Sequence, residues 1–195
     1  MASVRAIEAV GEGIARHLRR AWDLGPLATL SCEFKLVGTK EMKALQDTSA
    51  TCGIYLYRVT HNEYTRNCPQ VAALRPAVVD LHYLFGVWHD TASREHSVLG
   101  WLLRELSRYP VLDAGMLLAG GAFVTADRLQ FVPAELSLDD TAKLWQLLNT
   151  QFRPSLTYIV RNVQIAPEDA VQFAPVVATR YEYDDDPQVV EGAGA

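Results

Sequence analysis

Asp80 and His82 are the two side chains whose types and spacing are most suggestive of chemistry. They are separated by one residue in the run AVVDLHYLFGVW, which is otherwise almost entirely apolar. Because side chains alternate along a strand, both should point to the same face of a sheet. A carboxylate and an imidazole so placed could act as a catalytic dyad, or bond each other or a loop backbone. We favour the structural interpretation, because buried polar groups nearly always have hydrogen-bond partners.

The other candidate groups do not form a catalytic or metal-binding motif. His82, His89 and His96 are seven residues apart, but the pattern distributes them over a strand, a loop and a helix start. Such positions do not favour the tetrahedral convergence that zinc needs. A nucleophile elbow, a Walker loop, a dinucleotide-binding motif and an HExxH motif are all absent from the sequence. We therefore expect no enzyme, no metal and no cofactor.

The composition is that of an ordinary globular protein. The chain has 195 residues, of which 49% are hydrophobic and 21% charged, and its formal net charge is -5. An acidic balance argues against a general nucleic-acid or anionic-membrane surface, which needs a basic patch. Apolar runs stay short of the roughly 20 residues of a membrane span, and the first residues lack the apolar core of a secretory signal. We expect a cytoplasmic protein, with its three cysteines as free thiols.

Two strand-like runs, Gly53–Thr60 and Ala77–Trp88, should position Asp80 and His82 as neighbouring strands of the core. Both runs are rich in β-branched and aromatic residues and are bounded by turn formers. Alternation assigns three residues of the first run to one face: Ile54, Leu56 and Arg58. The polar connection between the runs includes three candidate contact residues: Asn62, Arg66 and Asn67.

Amphipathic periodicity predicts three helices, over residues 3–24, 91–109 and 137–149. Ser137, followed three residues later by Asp140, resembles a capping box. Further strands are predicted at 30–36, 128–136 and 156–165. The order αβββαβαβ predicts an α/β fold with a single mixed β-sheet covered by helices, because several connections are too short for parallel crossovers. Four tryptophans occupy apolar positions and are expected in the core: Trp22, Trp88, Trp101 and Trp145.

Residues 167–195 differ in character from the α/β domain predicted over residues 1–166. This extension contains the acidic run Asp184–Asp186 and ends in small residues, a composition typical of segments that a partner orders. Four of its residues alternate as in a strand: Val177, Thr179, Tyr181 and Tyr183. We expect residues 171–183 to form an arm that adds to the sheet edge of a neighbouring subunit. The alternative is a strand of the arm's own domain.

Five motifs, in this order, give the chain a family resemblance that runs from about residue 4 to 165. They are LYRVTHNEYTRN, RPAVVDLHYLFGVW, SVLGWLLRELSRYPVL, LSLDDTAKLWQLL and FRPSLTYIVRNVQI. In these stretches the chain resembles the cap or tail-terminator proteins of extracellular contractile injection systems. Those systems are phage-tail-like particles of the virulence-cassette and antifeeding-prophage type.

The resemblance implies a structural function: a hexameric ring that closes the baseplate-distal end of the inner tube and contractile sheath. It implies sheath protein, inner tube protein and further copies of the chain as partners, and incorporation into the particle after synthesis in the cytoplasm. We expect Arg58, Asn62, Arg66 and Asn67 to make interface contacts, with Asp80 and His82 holding that connection in place. Two alternatives stay open: an assembly chaperone or adaptor for tail proteins, and a small soluble enzyme that uses Asp80 and His82.

Overall fold

A computed structural model describes the chain over residues 3–45, 50–62, 76–117, 122–123 and 128–166. Its helices are α1 (Ala6–Asp23), α2 (Thr39–Ala44), α3 (Ala92–Arg108), α4 (Ala114–Leu117) and α5 (Leu138–Leu148). Its strands are β1 (Glu33–Leu36), β2 (Thr51–His61), β3 (Ala77–Trp88), β4 (Val111–Leu112), β5 (Leu129–Pro133) and β6 (Ser155–Ile165). None of the described helices is both long enough and apolar enough to cross a membrane.

The strands form one sheet in the order β1-β2-β3-β6-β5-β4. Strand β1 pairs with β2 in parallel, and the other four pairings are antiparallel. The predicted class, a single mixed sheet covered by helices, is therefore confirmed. The two runs around Asp80 and His82 are adjacent strands, β2 and β3, as predicted.

Helices cover the two faces of the sheet unequally. On the first face, α1 and α3 pack on the larger core, which includes Trp22 and Trp101. On the second face, α2 and α5 pack on a smaller core around Leu84, Trp88 and Trp145. This smaller core lies at the sheet end where β3 finishes, which we call the Trp88 end. All four tryptophans are at most 4% exposed, so their predicted core positions are confirmed.

A glycine pair leaves room for the Trp88 ring on the second face. Gly53 and Gly86 are cross-strand partners, and a Cβ atom added to Gly86 would come within 2.9 Å of the Trp88 ring. A Cβ atom at Gly53 would approach the same ring to 3.1 Å. The absence of side chains at these two positions lets the indole ring approach the backbone closely.

A β-bulge in β2 overturns one prediction about side-chain direction. The register with β3 shifts between Leu56 and Arg58, so that Tyr57 is the extra residue and Arg58 lies opposite His82. One inserted residue reverses the alternation for the rest of the strand. Arg58 therefore shares the second face with His82, and its predicted grouping with Ile54 and Leu56 was wrong.

Short elements account for the other differences from the prediction. Helix α2 has six residues and begins where Glu41 Oε2 accepts a hydrogen bond from the backbone N–H of Gly38 at 2.7 Å. Strand β4 and helix α4 have only two and four residues, which is too short for a periodic signal. The start predicted for α5 is confirmed, because Ser137 Oγ accepts from the backbone N–H of Asp140 at 3.1 Å.

Candidate functional site

A polar cluster lies on the second face at the end of the sheet opposite Trp88. We call it the Asp80 cluster, and define it as Thr60, Asn62, Asp80, His82 and Asn162. Strands β2, β3 and β6 bring these side chains together, although β6 follows β3 by more than sixty residues. The cluster thus joins Asn62, Asp80 and His82, which the sequence singled out. Its other two members, Thr60 and Asn162, were not predicted.

The Asp80 carboxylate connects three segments of the chain. Its Oδ1 atom accepts hydrogen bonds from Asn62 Nδ2 and from the backbone N–H of Asn162, both at 3.0 Å. Asn62 Nδ2 also donates to Asn162 Oδ1 at 2.8 Å. Charge-assisted bonds of this kind are stronger than bonds between neutral groups. Asp80 therefore fixes Asn62, the last described residue before the connection 63–75, to the middle of the sheet.

Asn162 is a residue that sequence reasoning missed. It has a φ of 63° and lies where the register between β3 and β6 shifts, next to Asp80. Asparagine tolerates this left-handed conformation better than most residues, because its short polar side chain bonds locally. The Arg161-Asn162 pair inside a strand pattern was the available signal, since asparagine is depleted in strands.

The His82 imidazole does not share the partners of the Asp80 carboxylate. Its Nε2 atom lies 3.0 Å from Thr60 Oγ1, and its ring packs edge-on to Tyr57 with centroids 5.8 Å apart. Burial lowers the pKa of His82, the charges of Arg58 and Arg161 lower it further, and the charge of Asp80 opposes them. His82 is therefore uncharged at neutral pH.

The Asp80 cluster has the geometry of a structural network rather than of a catalytic dyad. A dyad needs the carboxylate to orient the imidazole, but Asp80 bonds two asparagines and His82 bonds a threonine. Within the described ranges, His, Cys, Asp and Glu side chains form no group of three that could hold a metal ion. Six predicted contact residues lie outside the described ranges: Arg66, Asn67, Val177, Thr179, Tyr181 and Tyr183.

Replacing His82 with glutamine should reduce the loss of stability in acid. The pKa of His82 is lower in the folded chain than the value of about 6.5 expected when unfolded. The unfolded state therefore binds the proton more tightly, so stability is lost as the pH falls below about 6.5. Urea unfolding at pH 7.5 and 5.5 would measure this loss for the parent and for His82→Gln.

A matched control for that measurement is His61→Gln, at an exposed position on β2. His17, whose pKa burial also lowers, should sustain part of the acid sensitivity in every variant. An acid-induced loss that is as large in His82→Gln as in the parent would contradict the expectation.

A row of cross-strand partners shares His82 with the Asp80 cluster and continues from it across the second face. The register places Arg58 opposite His82, His82 opposite Ile159, and Ile159 opposite Val132. Arg58 and Arg161 are exposed, whereas Ile159 and Val132 are half-buried. Helices α2 and α5 leave this half of the face uncovered by any described helix. It combines apolar side chains with two guanidinium groups, a mixture suited to contact with a partner.

Two solved structures resemble this fold. The sheath/tube terminator of the PVC extracellular contractile injection system, in its extended state, matches 92% of this chain and 64% of its own, with a TM-score of 0.56 and 19% identity. The tube-terminating cap of the anti-feeding prophage matches 85% of this chain and 60% of its own, with a TM-score of 0.54 and 18% identity. The chain thus spans less than two thirds of either structure. No curated protein matches it significantly in sequence.

The family of the chain follows from a separate comparison with family models. The matching model covers residues 9–179. This range includes the whole sheet, the Asp80 cluster and the row of cross-strand partners beside it. The resemblance seen in the five sequence motifs is thereby confirmed. The chain belongs to the family described as the Pvc16 N-terminal domain.

Proposed function

We propose that this chain is a structural cap subunit that ends the inner tube and contractile sheath of an injection particle. One observation carries the proposal: the family match over residues 9–179 coincides with a fold shared with two proteins described as a sheath/tube terminator and a tube-terminating cap. The Asp80 cluster supports a structural role, since its carboxylate and imidazole are engaged in hydrogen bonds between segments of the chain.

A ring is the oligomer that suits this role. Subunits in a ring meet head to tail, so two different surfaces of one chain must be complementary, and the rotation between subunits must close. We propose six copies that contact the last sheath and inner tube subunits at the end distal to the baseplate. The subunit is made in the cytoplasm and incorporated there into the particle.

The Asp80 cluster fixes the residues from which the proposed contact segment starts. Asp80 holds Asn62, and His82 holds Thr60 near the end of β2, so the connection 63–75 starts from a fixed position. We propose that this connection makes partner contacts through Arg66 and Asn67, with Arg58 and Asn62 beside it. The C-terminal extension 167–195 adds contacts through four alternating residues: Val177, Thr179, Tyr181 and Tyr183.

Deletion of the gene from a producing cell tests the function. Without a terminator, polymerising tubes and sheaths have no defined stop, so electron microscopy should find particles of irregular length and fewer of them. Complementation with the parent chain should restore uniform length, and mass spectrometry of purified particles should find a fixed, ring-sized copy number. An assembly chaperone would instead be absent from purified particles, and that result would overturn the proposal.

Charge reversal at Arg66 tests the proposed interface separately. Arg66→Glu should lower the yield of uniform particles at least about tenfold, because like charges placed across an interface suppress association. The control is Arg104→Glu, at an exposed position of α3, which packs on the face of the sheet opposite the Asp80 cluster. Both purified chains should remain folded by circular dichroism. Equal particle yields from the two variants would remove Arg66 from the interface.

A further inference from the structure

We propose that in the free subunit the segment Tyr181–Asp186 docks on the second face of the same chain, on the half that is not covered by a described helix. The surface consists of the row Arg58, His82, Ile159 and Val132, together with Arg161. The proposal concerns the isolated chain and does not depend on the terminator role.

The first argument is the charge of the surface. The whole chain carries a formal net charge of -5, yet this surface presents two exposed arginines without an ion pair to a described residue. Both arginines lie close enough to His82 to lower its pKa. The Asp80 carboxylate, whose charge also acts on His82, already accepts hydrogen bonds from Asn62 and Asn162. Two guanidinium groups thus remain for an acidic partner, and Arg pairs readily with carboxylates.

The second argument is the sequence of the segment. Tyr181–Asp186 reads YEYDDD and holds four carboxylates within six residues, with two tyrosines among them. The carboxylates match the two arginines, and the tyrosine rings match half-buried Ile159 and Val132. The connection 63–75 is a poorer match, because it holds one acid and two arginines. Charge complementarity therefore favours the C-terminal segment over the connection 63–75 as the occupant of this surface.

The third argument is the length of the chain that links β6 to the segment. The last described residue, Ala166, follows the end of β6, and Arg161 lies about 17 Å back along that strand. The 14 residues 167–180 extend to at most about 50 Å, which is enough to turn and return over the face. A segment tethered so closely has an effective concentration in the millimolar range, so even weak ion pairs favour the chain's own surface at low protein concentration.

A zero-length cross-link tests the proposal on the 195-residue chain. Arg58→Lys and Arg161→Lys keep the charge and supply amines, and carbodiimide joins an amine to a carboxylate only when the two are in contact. Peptide mass spectrometry should find each introduced amine joined to Glu182 or to Asp184–Asp186. The yield should exceed that of the control Arg104→Lys by at least about fivefold, because tethering raises the local carboxylate concentration. It should fall in 1 M salt, since salt screens exposed charges.

Isotope mixing separates docking within one chain from docking between chains. A mixture of light and heavy-nitrogen chains should give only light-light and heavy-heavy cross-links if the segment docks on its own domain. Mixed-isotope products would assign the contact to a second copy and overturn the proposal. Cross-links to Glu63, or yields no greater than the control, would overturn it equally.

Discussion

Replacing Trp101 with alanine is expected to lower the free energy of unfolding by about 3–5 kcal/mol, the range typical of large aromatic side chains removed from a core. Trp101 lies on α3, is 4% exposed, and packs edge-on to Trp22 of α1 with ring centroids 4.8 Å apart. It also contacts the ring of Phe34 in β1 at 5.5 Å. One indole therefore joins two helices and an edge strand, so its removal should leave a cavity that no single element can fill.

Leu103 offers a matched control for Trp101 on the same helix. It lies two residues further along α3 and is 47% exposed, so Leu103→Ala should cost less than about 1 kcal/mol. Urea unfolding with linear extrapolation would measure both variants, provided that the denaturant dependence stays unchanged. Similar losses in the two variants would contradict the central position assigned to Trp101.

Replacing Arg153 with alanine should destabilise the chain by about 2–4 kcal/mol, somewhat less than for a fully buried pair, because some solvent screening persists. Arg153 pairs with Glu95 of α3 at 2.5 Å, and the two side chains are 16% and 15% exposed. Its guanidinium also lies over the Trp88 ring, 5.8 Å from the centroid. The variant leaves the Glu95 carboxylate partly buried without this partner, which is the costly part of breaking such a pair.

A double-mutant cycle isolates the contribution of that pair. If the uncompensated carboxylate causes most of the loss, Glu95→Ala combined with Arg153→Ala should cost less than the sum of the single changes. The exposed pair Lys143–Asp139 on α5 serves as the control, and Lys143→Ala should change stability little. Strict additivity of the Arg153 and Glu95 losses would show that the two side chains act independently.

The sequence predicted the long elements well, because their patterns repeat. Strands β2, β3 and β6 have eleven or twelve residues each, which is enough for β-branched and aromatic enrichment to be unmistakable. The start of α5 was equally predictable, since the Ser137 cap is a local interaction between residues three apart. By contrast, α2 and β4 are held by their neighbours rather than by a pattern of their own.

The candidate site was predicted only in part, for a geometric reason. Asp80 and His82 stood out because polar residues are conspicuous in an apolar strand. Their partners did not, because the Asp80 bond to Asn162 spans 82 positions and the His82 bond to Thr60 spans 22. The bulge at Tyr57 was equally invisible, since a single extra residue leaves no trace in composition, yet it determines on which face Arg58 lies.

The position of β6 has a consequence for how the chain folds during its synthesis. Strand β6 lies between β3 and β5 in the sheet, so a nascent chain that lacks residues 155–165 has two unconnected pieces, β1-β2-β3 and β4-β5. Each piece exposes a strand edge that can pair with the wrong chain. Long-range pairing of this kind also slows folding. The ribosome must therefore release nearly the whole domain before the sheet can close, and incomplete chains are the species most prone to aggregate.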